Sequence, residues 1–139
     1  MKKHRIIAVF LLVILTVLAA ASCSSTPKLE GKIFYRLYDD GEGGYFVRVE
    51  EGWNFISETS AIWMDDKIAV DYEIDGTSIK FTHPWYAAVG EYVKDFDITQ
   101  DTSLRKFTDN DFVIPVPEKP EAILVDGKTF LCLDPSTVV

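Results

Sequence analysis

Catalysis by side chains needs a nucleophile, a general base or a metal set, and this chain is thin in all three. It holds two histidines and two cysteines. His4 lies in the basic head of the chain, so any imidazole chemistry further along falls to His83. No nucleophile-elbow motif presents a serine to it. One histidine and one thiol do not make an ordinary structural zinc site without several carboxylates. Next to Pro84, His83 reads as a polar turn residue. Asp95, Asp97 and Asp101, with Thr99 and Thr102 nearby, offer hard oxygen ligands of the kind calcium takes. Their spacing lacks the loop glycine and the terminal bidentate glutamate of an EF-hand, so solvated loop acids are expected. Cys132 stands in the apolar run Phe130-Leu131-Cys132-Leu133, which predicts a buried, inert thiol. No catalytic, cofactor-binding or metal residue is assigned, and the chain is expected not to be an enzyme.

Aromatic side chains are the other chemical resource, at 13% of the sequence, with three tryptophans, six tyrosines and nine phenylalanines. Most are expected in the core, because a small β domain needs large side chains to fill it. Trp85-Tyr86 is the exception by position. It follows His83-Pro84 in what reads as a loop, where flat rings give large contact area at low entropic cost. Trp85, Tyr86 and His83 are therefore the candidate binding surface.

The start of the chain reads as an export signal. Lys2, Lys3 and Arg5 precede a run from Ile6 to Ala21 that is apolar apart from Thr16. Sixteen residues make roughly 24 Å of helix, short of the ~30 Å hydrocarbon core. That length suits the core of a signal peptide. Ala20-Ala21-Ser22-Cys23 resembles the lipobox of bacterial lipoproteins, with Ala20 standing where that family usually has leucine. The resemblance implies cleavage before Cys23 and a diacylglyceryl and acyl lipid on that cysteine, with no other cofactor. The alternative is an ordinary secretory signal, cut near Ala19-Ala20-Ala21. Ser24, in the place where an aspartate would hold a lipoprotein at the inner membrane, implies the outer membrane if the host has one. With Cys23 lipidated, Cys132 has no intramolecular partner and no disulfide staples the domain.

Charge narrows the partners. The full chain carries 14 basic and 22 acidic residues, a formal net charge of −8. Removing Lys2, Lys3 and Arg5 leaves 11 basic residues against 22 acidic ones, or −11. Such a surface repels phosphate backbones, so no nucleic-acid partner is expected.

These residues must be positioned by strands. From Lys32 onward the dominant period is two. Ile68, Val70, Tyr72 and Ile74 alternate with Ala69, Asp71 and Glu73, the clearest such run. Asp75-Gly76 and Asp126-Gly127 each join two alternating runs, a strong hairpin signal predicting type I′ turns. Tyr86–Asp95 has partial helical spacing, but Gly90 and its β-branched valines argue against a helix. Thr102–Phe107 reads as a single helical turn capped by Asp101 or Thr102. Pro115–Pro120 must be a loop or an edge. The fold class is all-β, a small antiparallel β-barrel or β-sandwich of eight to nine short strands. The hairpin Tyr72–Phe81 (Tyr-Glu-Ile-Asp-Gly-Thr-Ser-Ile-Lys-Phe) is similar to hairpins in lipocalin-like domains of bacterial lipoproteins, a likeness that implies a barrel and no particular ligand.

The organisation expected is a signal peptide at 1–22, a lipidated N-terminus and flexible tether at 23–31, and one β domain at 32–139. The function expected is a binding or interaction module of the cell envelope. The membrane is a partner through the lipid, and an envelope protein or small apolar ligand is the other. A small accessory enzyme or enzyme inhibitor of the envelope is the competing reading.

Overall fold

The computed structural model describes residues 26–98 and 104–138. Cys23 and the expected signal segment lie outside the described residues. Ten strands form in chain order: β1 Ile33–Asp39, β2 Tyr45–Phe55, β3 Ser60–Trp63, β4 Ile68–Asp75, β5 Ser78–His83, β6 Tyr86–Val93, β7 Leu104–Lys106, β8 Asp109–Ile114, β9 Ala122–Val125 and β10 Lys128–Cys132. A four-residue helix, α1, spans Pro135–Val138. Eight strands pair antiparallel in the order β1-β10-β9-β6-β5-β4-β3-β2, and β1 pairs with β2 to close the ring. The architecture is a closed antiparallel barrel with two further strands. Closure removes the unpaired edges that an open sheet would leave.

Period-two patterning decides which residues fill the barrel. Val70 and Tyr72 of β4 are buried, while Ala69, Asp71 and Glu73, which alternate with them, are exposed. Phe34, Trp53, Phe55, Phe81 and Phe130 are all at most 1% exposed and pack the interior with rings. Trp53 and Phe81 stack at 4.1 Å between centroids.

The outer face of β1, β2, β9 and β10 carries a second core. Tyr35, Val47, Ala122 and Leu131 are buried there against Leu104 and Ile114. That cover comes from β7 and β8. β7 pairs parallel to the first half of β2, Tyr45 to Leu104 and Val47 to Lys106, while the second half of β2 pairs with β3. The segment at Thr102–Phe107, expected as a helical turn, is thus a strand over Leu104–Lys106. The buried Leu104 and the ladder to β2 outweigh its local preference for a turn.

β2 serves both cores by bending. Arg36 pairs with Arg48, yet the next residue back, Tyr35, pairs with Gly52, so three residues of β2 bulge out between them. A Cβ on Gly52 would lie 2.1 Å from the Phe34 carbonyl oxygen, so no other residue fits there without moving the strand.

The two Asp-Gly hairpins differ. Asp126 and Gly127 have φ of +52° and +72°, the pair of positive values that a type I′ turn needs. At the first hairpin Asp75 stays in β4 and pairs with Ser78, so the turn residues are Gly76-Thr77. Only Gly76 has positive φ, at +64°, which is the type II′ arrangement. The run Pro115–Pro120 is a loop between β8 and β9.

Candidate functional site

In the closed ring, the β1–β2, β3–β4, β5–β6 and β9–β10 connections all lie at one end, here called the mouth. The β2–β3 and β4–β5 turns and the entry to β1 lie at the other end, the base. Mouth and base are built from different residues.

At the base the chain closes the barrel with itself. Leu29 is 1% exposed and belongs to the interior core. Gly31 N–H donates to Phe55 O at 2.8 Å and Phe55 N–H to Lys32 O at 3.0 Å. The tether expected to run to Gly31 is therefore docked from Leu29 onward. Beside it, Tyr72 donates its hydroxyl to Ser57 O at 2.6 Å. Lys32 and Glu121 form an ion pair at 2.6 Å, and Tyr92 donates to the same carboxylate. Cys132 lies near this pair, half-buried and unpaired. Burial, and then the charge of Glu121, push its thiol up to about 11, so it is a protonated and weakly reactive sulfur near neutral pH.

At the mouth, β3, β4, β5 and β6 frame a cavity of about 280 Å³. Trp63 ends β3, His83 ends β5 and Tyr86 begins β6. Ile68 and Val70 of β4 supply apolar lining, and Asp66 enters from the β3–β4 turn. The Trp63 and Tyr86 rings are nearly parallel, 6.4 Å between centroids at 12°. Each also packs on Trp53, at 5.0 and 5.6 Å, so both rest on the buried ring stack. Tyr86 donates its hydroxyl to Asp126 Oδ2 at 3.4 Å, a long bond. Burial first, and then the Asp126 charge, push the Tyr86 hydroxyl up to about 12.

Trp85 is 87% exposed and lines the same cavity. Its backbone N–H donates to His83 Nδ1 at 3.1 Å, and the two rings meet edge to face at 5.5 Å. His83 therefore acts as an acceptor that shapes the two-residue turn, with its ring in the cavity wall. The structure brings together Trp85, Tyr86 and His83, the three residues singled out in the sequence. It adds Trp63 and Asp66, which sequence reasoning missed. Trp63 gave a faint signal, an aromatic at the end of an apolar stretch just before the turn Asp65-Asp66-Lys67. Nothing in the linear pattern placed that turn beside His83-Pro84-Trp85.

A second mouth cluster sits on the β1–β2 wall. Glu51 accepts from Tyr38 and lies 3.9 Å from Arg36 Nη1 and 3.8 Å from Arg48 Nε. The Arg36 guanidinium stands 4.5 Å over the Tyr38 ring, and that of Arg48 3.9 Å over Phe107. These arginines are held by ring faces as much as by the carboxylate.

Of the acids weighed as calcium ligands, Asp95 and Asp97 are described and Thr99, Asp101 and Thr102 lie outside the described residues. Among the described residues no group of three histidine, cysteine or acidic side chains is placed to hold a metal ion, and no helix is long and apolar enough to cross a membrane. No protein family, curated protein or solved structure matches the chain.

Proposed function

We propose that this protein is a lipid-anchored binding module of the bacterial cell envelope, and that the barrel mouth is its ligand site. The observation that carries the site is Trp85. An 87%-exposed indole on the wall of a cavity floored by two packed rings is apolar surface that folding alone does not require. A binding role also agrees with the chemistry of the cavity, where His83 and Asp66 are joined by aromatic and aliphatic side chains and no serine, threonine or cysteine nucleophile lines the wall with them. The volume, about 280 Å³, is near the lower limit of ordinary ligand pockets. It suits a small molecule or the head of a longer one.

The proposed anchor is Cys23, six residues before Leu29. Six residues span at most about 22 Å, so the base would be held near the membrane and the mouth would face away from it. The anchor is tested by intact mass of protein extracted from membranes. Residues 23–139 plus a diacylglyceryl group are expected, and a mature N-terminus at Ser22 or earlier with an unmodified cysteine defeats it. Cys23→Ser should release the domain or leave the uncleaved precursor.

The site is tested with a neutral apolar fluorophore, N-phenyl-1-naphthylamine, titrated into the purified domain. Saturable enhancement at one site per chain is expected, lost or much weakened in Trp85→Ala. Non-saturating enhancement, or enhancement indifferent to Trp85, defeats the assignment to the mouth.

A further inference from the structure

Resting on that reading of the mouth, we infer that its ligand is an organic cation of the alkylammonium class, held in an aromatic cage of Trp63, Trp85 and Tyr86 with Asp66 as counter-charge. Three aromatic rings line one small cavity, and two of them are indoles, the strongest partners for a cation among aromatic side chains. Ring faces carry negative quadrupole density, so a soft, weakly hydrated cation gains more there than a neutral group of the same shape. Tyr86 adds to this, because donating its hydroxyl toward Asp126 raises the electron density of its ring.

The polar residues of the cavity point the same way. Asp66 lines it and has no ion-pair partner among the described residues. A carboxylate beside apolar rings disfavours an anionic ligand and is well placed to neutralise a cation. Lys67 in the β3–β4 turn, Lys128 at the start of β10, and Arg36 and Arg48 beside Glu51 are the basic residues toward the mouth, and none of them lines the cavity. The chain as a whole is acidic, at −8 in formal charge, which raises the local concentration of cations around it. The size agrees too, since a cavity of about 280 Å³ accepts a trimethylammonium head and leaves the remainder of a molecule at the open rim beside Trp85.

The test compares choline with 3,3-dimethylbutan-1-ol, which has the same branched head with carbon in place of charged nitrogen. Titration is followed by the N-methyl or C-methyl proton resonance, which ring currents move upfield inside a cage. Choline should saturate and bind at least about tenfold more tightly than the neutral isostere. Asp66→Asn should weaken choline several-fold and leave the isostere unchanged, whereas Trp85→Ala should weaken both. Added salt should weaken choline alone. Equal binding of the two compounds overturns the cation assignment while the mouth remains a site. Failure of choline to saturate, with the neutral fluorophore still bound at the mouth, overturns it as well. Failure of all three compounds overturns the mouth itself. Asp66 and Trp85 are exposed, so their variants fold, and circular dichroism checks that they do.

Discussion

At the base of the barrel Leu29 fills the end of the core, and Gly31 and Lys32 tie the entering chain to Phe55. At the mouth the rings of Trp63 and Tyr86 rest on the same buried stack, yet a cavity is left above them and Trp85 stands in solvent. Leu29 thus caps the interior core at the base, where a cavity of about 320 Å³ remains beside it, whereas at the mouth Trp85 stays outside the core altogether. Burying apolar area stabilises at roughly 25 cal/mol per Å², so an indole left outside forgoes a sizeable contribution. The difference is that burial accounts for Leu29 and does not account for the place of Trp85.

The middle layer belongs to both ends and should show the largest effect. Val70 is 1% exposed, and an unpaired carboxylate placed there costs several kcal/mol. Against a total stability of about 5–15 kcal/mol, Val70→Asp should abolish cooperative urea unfolding. Asp71→Lys, one residue on and on the outer face, should stay within about 0.5 kcal/mol. Equal losses at the two positions contradict the inward face of β4.

Next comes the base. Leu29→Ala should lower the unfolding free energy by about 2–5 kcal/mol, the range for removing a buried leucine. That loss is unexpected for a flexible tether, so the measurement separates a docked plug from a passive linker. A loss below about 0.5 kcal/mol would mean that the base is closed without Leu29.

Much of this was legible in the sequence, and the limits have physical causes. Alternation at Ile68–Ile74 predicts the strand and its inward face because one face of a barrel wall is buried and the other wet. Asp126-Gly127 gave its turn type correctly, since both residues tolerate positive φ. Asp75-Gly76 gave a hairpin but shifted its turn by one residue, because Gly76 satisfies the first central position of a II′ turn equally well. Leu29 falls within the stretch that the sequence predicts as tether, since a single leucine among Pro27, Lys28 and Glu30 has no periodicity to reveal burial. The strand at Leu104–Lys106 is set by a parallel neighbour far away in the chain, a contact that local propensity does not encode. At the site, His83, Trp85 and Tyr86 flank or follow Pro84 in one short run and are visible in the sequence. Trp63 and Asp66 reach them only through the β3–β4–β5–β6 pairing.

Each end holds a tyrosine hydroxyl against a carboxylate, Tyr92 on Glu121 at the base and Tyr86 on Asp126 at the mouth. Tyr86 at the mouth titrates near 12, raised by burial first and by Asp126 second. Its folded value lies above the ~10 of an unfolded tyrosine. The stability it contributes is complete below about pH 10 and falls as pH rises toward 12, since the unfolded chain loses its proton first. Difference titration of tyrosinate absorbance against Tyr86→Phe should show that step. Asp126→Asn should lower the value only part of the way back, because burial is the larger cause. A full return toward 10 would make Asp126, and not the packing of Tyr86 on Trp53, the dominant influence.

The smallest expected effect is the most informative for the mouth. Trp85→Ala should change the unfolding free energy by no more than about 0.5 kcal/mol, the usual range for a surface position. A tryptophan that plugged the barrel would lose about 3–5 kcal/mol on the same substitution. The exposure of 87% decides between these, since a side chain that keeps most of its area in water has little transfer free energy to lose. Its backbone N–H bond to His83 Nδ1 is one that alanine retains, and the ring gives up an edge-to-face contact with His83 at the surface. Chemical unfolding of the variant should therefore superimpose on the native curve, while acrylamide quenching should lose its most accessible tryptophan component. Loss of several kcal/mol would mean that the ring turns inward in solution and that the mouth is finished like the base. An unchanged curve, joined to weakened binding of the neutral fluorophore, leaves recognition as the reason for an indole at that rim.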